Sequence, residues 1–212
     1  MKKYIDFFCL VICFQLKISA QDFLPVALTA KDKKNNALLA RYQTSIDKYA
    51  GGELLLYKTG KFVYNTYSCL ANGVSAGQWK AVGNIIELQS DWQQNNLPIK
   101  ISYIDKATAG EEAKQFAIIR DLAGREYTQA AIHINQDSVS CYYGDKECFG
   151  SYTSVDSVKV QFDNNLVSRW LKVDTSEGVV QLTVLTNLDV NQYFPLYLRL
   201  KKEKGRLKPL KE

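Results

Sequence analysis

The stretch Gly51–Ser90, GGELLLYKTGKFVYNTYSCLANGVSAGQWKAVGNIIELQS, constrains the fold of this chain more than any other. It reads as four short strands joined by tight turns. Glu53–Tyr57 is apolar on both faces, and Lys58-Thr59-Gly60 supplies a three-residue hairpin loop with glycine where the backbone needs a positive φ. Phe62, Tyr64 and Thr66 then point one way, and Lys61, Val63, Asn65 and Tyr67 the other, which is the strand period of two. Gly77–Val82 forms the third strand, with Trp79 facing inward between Gly77 and Ala81. Gly83-Asn84 is a two-residue turn, and Ile85–Gln89 returns from it. Four strands with one apolar face do not stand alone in water, so another element must cover that face.

The segment Asn36–Ala50 is the nearest cover in sequence. Leu38, Leu39, Tyr42, Ile46 and Tyr49 fall on one face at helical spacing, with Arg41, Gln43 and Lys48 away from it. Asn35 or Asn36 caps the start and Gly51-Gly52 the end. The spacing therefore predicts one amphipathic helix lying over Trp79, with Phe62, Tyr64 and Trp79 as structural core.

After the polar border Asp91–Pro98 a second series of strands begins. They are expected at Ile99–Ile104, Gln115–Arg120, Glu126–Asn135, Ser138–Tyr143, Val155–Phe162, Leu166–Val173, Gly178–Thr186 and Tyr193–Leu200. Asp121-Leu122-Ala123-Gly124 and Asp163-Asn164-Asn165 sit where turns belong. Strand after strand without a helical period is the pattern of a sandwich or barrel. The expected fold is mainly β: an antiparallel meander covered by one N-terminal helix, then a β-sandwich-like or barrel-like second part. Residues 21–90 form the first domain and 98–200 the second. Residues 201–212, with six bases and two acids, form a solvated basic tail.

The first twenty residues read as a signal peptide. Met1-Lys2-Lys3 is a positive start, Phe7–Leu16 an apolar run too short to span a bilayer, and Ile18-Ser19-Ala20 a cleavage site before Gln21. A lipoprotein signal ending at Cys13 is the competing reading. Export places the chain in the periplasm or outside the cell, without a transmembrane segment after cleavage. Losing Lys2, Lys3, Lys17 and Asp6 takes the formal charge from +5 to +3, and the tail carries that excess. Basic residues interleaved with aromatics on one face are missing, which argues against nucleic acid as a partner. Of five cysteines, Cys9 and Cys13 leave with the signal. Cys141 and Cys148 bracket a turn-rich hexapeptide and form the expected disulfide in an oxidising compartment. That leaves Cys69 outside the pair, as a small buried hydrophobe.

Two resemblances follow from quoted residues. The pattern Leu54-x-Leu56, Gly60-Lys61-Phe62, Ser75-x-Gly77-x-Trp79 and Gly83-Asn84-x-Ile86-x-Leu88 resembles secreted lipocalin-like proteins of Bacteroidetes-type bacteria, as does the Ile18–Gln21 junction. Residues 115–200 are faintly similar to carboxypeptidase-regulatory-like (transthyretin-like) sandwiches. That likeness rests on Ile118-Ile119-Arg120-Asp121-Leu122-Ala123-Gly124 followed by Ala131-Ile132-His133-Ile134. The second resemblance implies a non-catalytic module of the kind attached to receptors and peptidases.

Catalytic chemistry has little to stand on. His133 is the single histidine. It alternates with the inward Ile132 and Ile134, so it faces solvent or a neighbouring sheet, with no local signature of a nucleophile or orienting group. Glu111-Glu112 are adjacent and diverge if extended, and the Asp163–Asn165 and Asn187–Asn191 loops lack EF-hand spacing. No metal ligand set or cofactor motif is legible. Tyr57, Phe62, Tyr64 and Trp79 pack as core ahead of forming a lipid- or sugar-binding face. Tyr142, Tyr143, Asp145 and Phe149, beside the cysteine pair, are the positions placed for contact with a partner. The functional expectation is an exported, non-enzymatic binding or structural module of the bacterial envelope, with an envelope protein or small ligand as partner. The alternatives are a carrier using the aromatic face of the meander and a hydrolase with dispersed carboxylates.

Overall fold

The computed structural model describes residues 21–34, 37–45, 50–105, 117–142 and 148–210. Eight strands form one antiparallel sheet in the order β1 (Leu24–Pro25), β2 (Leu38–Ser45), β3 (Gly51–Tyr57), β4 (Lys61–Tyr67), β5 (Asn72–Val82), β6 (Ile85–Ser90), β15 (Tyr197–Glu203) and β16 (Arg206–Pro209). The sheet curls until its two edges meet. Phe23 and Leu207 exchange backbone hydrogen bonds of 2.8 and 3.0 Å, so the sheet is a nearly closed barrel.

The interior is filled by alternate residues of each strand. Phe23, Tyr42, Leu54, Leu56, Phe62, Tyr64, Ile86, Leu88, Leu200 and Leu207 form one buried cluster. Small residues stand opposite large ones across the strands: Phe62 faces Gly77 and Tyr64 faces Ser75. A Cβ on Gly77 would run into the Gln89 carbonyl and lie 2.5 Å from the Ser90 Cα. Trp79 lies at the end of this inward row, half-buried and opposite Leu88, and its indole N–H donates to the Tyr57 carbonyl at 2.9 Å.

The helix expected over 36–50 is a correction. Residues 38–45 are strand β2, and Asn36 and Ile46–Tyr49 lie outside the described residues. Leu38, Ala40, Tyr42 and Thr44 turn inward at period two, while Leu39 is 46% exposed. A helix would have buried Leu38 and Leu39 together. On the outer side Arg41 joins Asp32 and Glu53, a charged row that a strand surface accommodates. Gly51 and Gly52, read as a helix stop, lie inside β3. Their missing side chains leave room for Tyr67 and Tyr64, whose atoms would lie 2.6 and 2.8 Å from added Cβ atoms. The only regular α-helix among the described residues, α1 (Ala30–Lys34), is one turn long. Thr29 and Asp32 cap it reciprocally.

The basic C-terminal run is a second difference. Residues 197–209 form the β15–β16 hairpin that completes the barrel, turning at Lys204-Gly205 with both residues at positive φ. Lys201 and Lys208 share Glu203, and Arg206 pairs with Asp22.

Between β6 and β15 the chain builds a sandwich. One sheet has the order β11 (Cys148–Phe149), β10 (Gln136–Tyr142), β9 (Ala131–Ile134), β12 (Ser157–Gln161), β13 (Leu171–Lys172), all antiparallel. The other has the order β7 (Ile99–Ile104), β14 (Val179–Val184), β8 (Ala117–Asp121), with β14 and β8 parallel. Ile132, Val158 and Val160 of the first meet Ile119, Val180, Leu182 and Val184 of the second in a single core. Two expected strands are shorter than the spacing suggested. In Glu126–Asn135 only Ala131–Ile134 pairs in a strand, with Glu126 making an isolated bridge to Arg120 and the Tyr127 hydroxyl turning to Asp121. In Leu166–Val173 only Leu171–Lys172 pairs in a strand, because the Ser168 hydroxyl takes up the Val160 N–H.

The two crossings between barrel and sandwich are fastened by buried polar groups. The Ser90 hydroxyl accepts the Leu196 N–H at 2.8 Å and donates to the Trp92 carbonyl at 3.0 Å. The Tyr193 hydroxyl accepts the Trp92 N–H at 3.2 Å and donates to the Ala76 carbonyl on β5 at 3.0 Å. The Asn164 amide donates to the Val190 and Tyr193 carbonyls. Each bond removes a polar group that burial would otherwise strand.

Candidate functional site

A set of exposed aromatic and polar side chains lies together on the outer face of the five-stranded sheet. Period two places Ile132, Ile134, Val158, Val160 and Cys141 against the cores, so their neighbours in sequence point outward. The register then assembles a row across four strands: Phe149 opposite Ser140, Ser140 opposite His133, His133 opposite Lys159. Three steps at the usual ~4.8 Å strand spacing make that row about 14 Å long. Tyr142, Ala131 and Gln161 form a second, parallel row. Trp170, just before β13, closes the far end, with the Lys159 ammonium 4.9 Å from its ring centroid.

Three aromatic rings on this face stay accessible: Phe149 is 69% exposed, Trp170 38% and Tyr142 37%. The barrel also exposes Tyr67 and Tyr197, but β5 and β6 separate their strands. On the sandwich face the rings flank a set of polar groups held in place. His133 sits with Nδ1 3.0 Å from the Asp137 carbonyl, to which it donates, and Nε2 3.0 Å from the Gln161 side-chain amide. Lys159 pairs with the Asp137 carboxylate. The Lys159 hydrogen bond and charge, together with His133, hold the Asp137 carboxyl below the usual range. Lys172, opposite Ser157, adds a second ammonium to the same face.

The Cys141–Cys148 disulfide ties β10 to β11 directly behind the row and fixes where Phe149 stands. Asn135, at a φ of 56°, makes the β9–β10 turn, and its side chain accepts the Asp156 and Ser157 N–H groups. The face is thus set on paired strands with a covalent tie, which favours fixed side-chain positions.

Among the described residues Asp121 is the one fully buried carboxylate, and its surroundings give it a structural task. Oδ1 accepts the N–H groups of Ala123 and Arg125 at 2.8 and 2.9 Å. Oδ2 accepts Arg125 Nε at 2.6 Å and the Tyr127 hydroxyl at 3.0 Å. Burial pushes its pKa up, but these bonds outweigh burial and leave it lowered. All of its strong acceptor positions are occupied, so no lone pair is left over for a substrate. Arg125 also donates to the Asn187 carbonyl, and the Tyr127 hydroxyl accepts the Val190 N–H. This network clamps the loop after β8 to the loop after β14.

Of the residues expected to contact a partner, Tyr142 and Phe149 lie on this face, while Tyr143 and Asp145 lie outside the described residues. Phe62 and Tyr64 are buried in the barrel. Cys69 is exposed rather than buried, on the Ser68–Ala71 hairpin loop. Glu111 and Glu112 lie outside the described residues. Sequence reasoning missed Trp170 and Lys159. The alternation Val158, Val160 against Lys159, Gln161 already put Lys159 outward, but nothing local placed Trp170 beside it. Among the described residues no group of three or more His, Cys, Asp or Glu side chains is arranged to hold a metal ion, and no helix is long and apolar enough to cross a membrane. No family model, curated protein or solved structure matches the chain.

Proposed function

We propose that this is an exported, non-enzymatic binding module of the bacterial envelope, in which the barrel is scaffold and the sandwich carries the binding face. The carrying observation is the set of Phe149, Tyr142 and Trp170 exposed on one sheet face around a fixed polar row. Large aromatic surface left in water on a rigid element is characteristic of interaction sites. The intramolecular disulfide is compatible with an oxidising compartment and supports export. The carrier alternative draws less support, because Phe62 and Tyr64 fill the barrel interior instead of lining an open cup. The hydrolase alternative loses its most buried carboxylate to the Asp121 clamp.

The test is sedimentation of the processed protein with a purified envelope fraction of its host. Wild type is expected in the pellet, and the double variant Phe149→Ala/Trp170→Ala in the supernatant with an unchanged circular dichroism spectrum. Equal pelleting of both proteins would remove the sandwich face from the account.

A further inference from the structure

We infer that the ligand of this face is an extended acidic polysaccharide, held flat across β11, β10, β9, β12 and the Trp170 end of the sheet. The inference deepens the proposed function and rests on that reading. Three properties of the face select this chemistry. First, it is a row and not a hollow. Phe149, Ser140, His133 and Lys159 follow one another in register over about 14 Å, which suits a chain of several sugar rings better than a single small molecule. Second, aromatic rings stand at both ends of that row with hydrogen-bonding side chains between them. Sugar rings present apolar C–H faces for stacking and equatorial hydroxyls at their rims, so one ligand satisfies both kinds of group. A lipid tail would offer no new partner to the Ser140 hydroxyl or the Gln161 side-chain N–H₂, at a cost in desolvation.

Third, the charge favours acid groups. Among the described residues assigned to this face, two ammonium groups, Lys159 and Lys172, stand against one carboxylate, that of Asp137, which pairs with Lys159. The Lys159 side chain is already largely covered, lying between Asp137 and the Trp170 ring, so it also fixes the ring that stacks. Lys172 is exposed and supplies the charge that reads a sugar carboxylate. Phe149 and Trp170 act by stacking, and Lys172 by selecting charge.

Affinity electrophoresis of the processed protein through gels containing polygalacturonate, alginate or hyaluronate tests this, with fully methyl-esterified polygalacturonate as the uncharged control. Retardation is expected on at least one acidic polymer and at least ten-fold weaker on the ester. Trp170→Ala is expected to weaken binding ten-fold or more, and Lys172→Ala several-fold with a shallower salt dependence, both at unchanged melting temperature. Three results would overturn the inference: no retardation on any acidic polymer, equal retardation on the ester, or unchanged binding by Trp170→Ala. Sedimentation with the envelope fraction, run in parallel, separates the two readings. If the face variants abolish pelleting while every polysaccharide fails, the binding module stands and its acidic-glycan ligand falls. If pelleting is indifferent to the face variants as well, both fall.

Discussion

The barrel and the sandwich both bury aromatic rings, but among the described residues the sandwich gathers three exposed ones on a single sheet face and the barrel scatters its own. In the barrel Phe23, Tyr42, Phe62 and Tyr64 are buried, Trp79 is half-buried, and the exposed Tyr67 and Tyr197 stand on strands separated by β5 and β6. In the sandwich Trp92, Tyr127, Phe162 and Tyr193 are buried among Val, Ile and Leu, while Phe149, Tyr142 and Trp170 are left together on one outer face. The reason is geometric. A closed eight-stranded sheet has a narrow interior that large rings fill, provided small residues such as Gly77 and Ser75 stand opposite. Two packed sheets interdigitate their inner side chains, here aliphatic residues with Trp92, Tyr127, Phe162 and Tyr193, and the outer face of the five-stranded sheet is left free to carry exposed rings. Buried aromatics are therefore stabilising elements in both halves, and the sandwich adds an exposed set gathered on one outer face.

The largest effect that tests this contrast is expected from Phe62→Ala. Its ring is fully buried, so truncation should cost about 3–5 kcal/mol in denaturant unfolding. Trp79→Ala should cost about 2 kcal/mol, less than a full core truncation because the indole is half-buried, although its hydrogen bond to the Tyr57 carbonyl is lost. A Trp79→Ala variant as stable as wild type would return that residue to the barrel's surface and revive the carrier alternative.

Next comes the Asp121 clamp of the sandwich. Asp121→Asn puts an amide N–H₂ among donors and should cost about 2 kcal/mol at neutral pH. The Asp121 pKa is lowered in the folded state, so its stabilisation is present above the ordinary carboxylate value of about 3.9 and is lost as pH falls through the lower folded value. The gap between wild type and Asp121→Asn should therefore narrow below about pH 4. A gap that stays constant down to pH 2 would mean that the carboxylate charge plays no part.

What the sequence disclosed follows the same divide. The meander from Glu53 to Gln89 was legible because consecutive strands pair and the turns Lys58–Gly60 and Gly83–Asn84 fix their register. The strand at Leu38–Ser45 was not, because its spacing fits a helical stripe as well as a strand, and the exposure of Leu39 decides between them only after folding. The sandwich strands were legible as strands but not as neighbours. β9 pairs with β12 and β14 with β8 through long connections, and β15 leaves the sandwich altogether for the barrel. The Cys141–Cys148 pair was legible from its short spacing. The face it supports was legible only at Tyr142 and Phe149, since Trp170 reaches it by tertiary pairing.

The smallest effect expected belongs to the sandwich face: Phe149→Ala should change stability by less than about 0.5 kcal/mol, as exposed positions do. The most direct measurement uses the three tryptophans together. Hydroxyl-radical footprinting of the processed protein, with and without saturating envelope fraction, reports Trp79 in the barrel, the buried Trp92 at the junction and Trp170 on the sandwich face. The fraction is expected to shield Trp170 and Phe149 from oxidation and to leave Trp79 and Trp92 unchanged. Shielding of Trp79 with Trp170 untouched would place the binding surface on the barrel and contradict the division of labour proposed for the two halves.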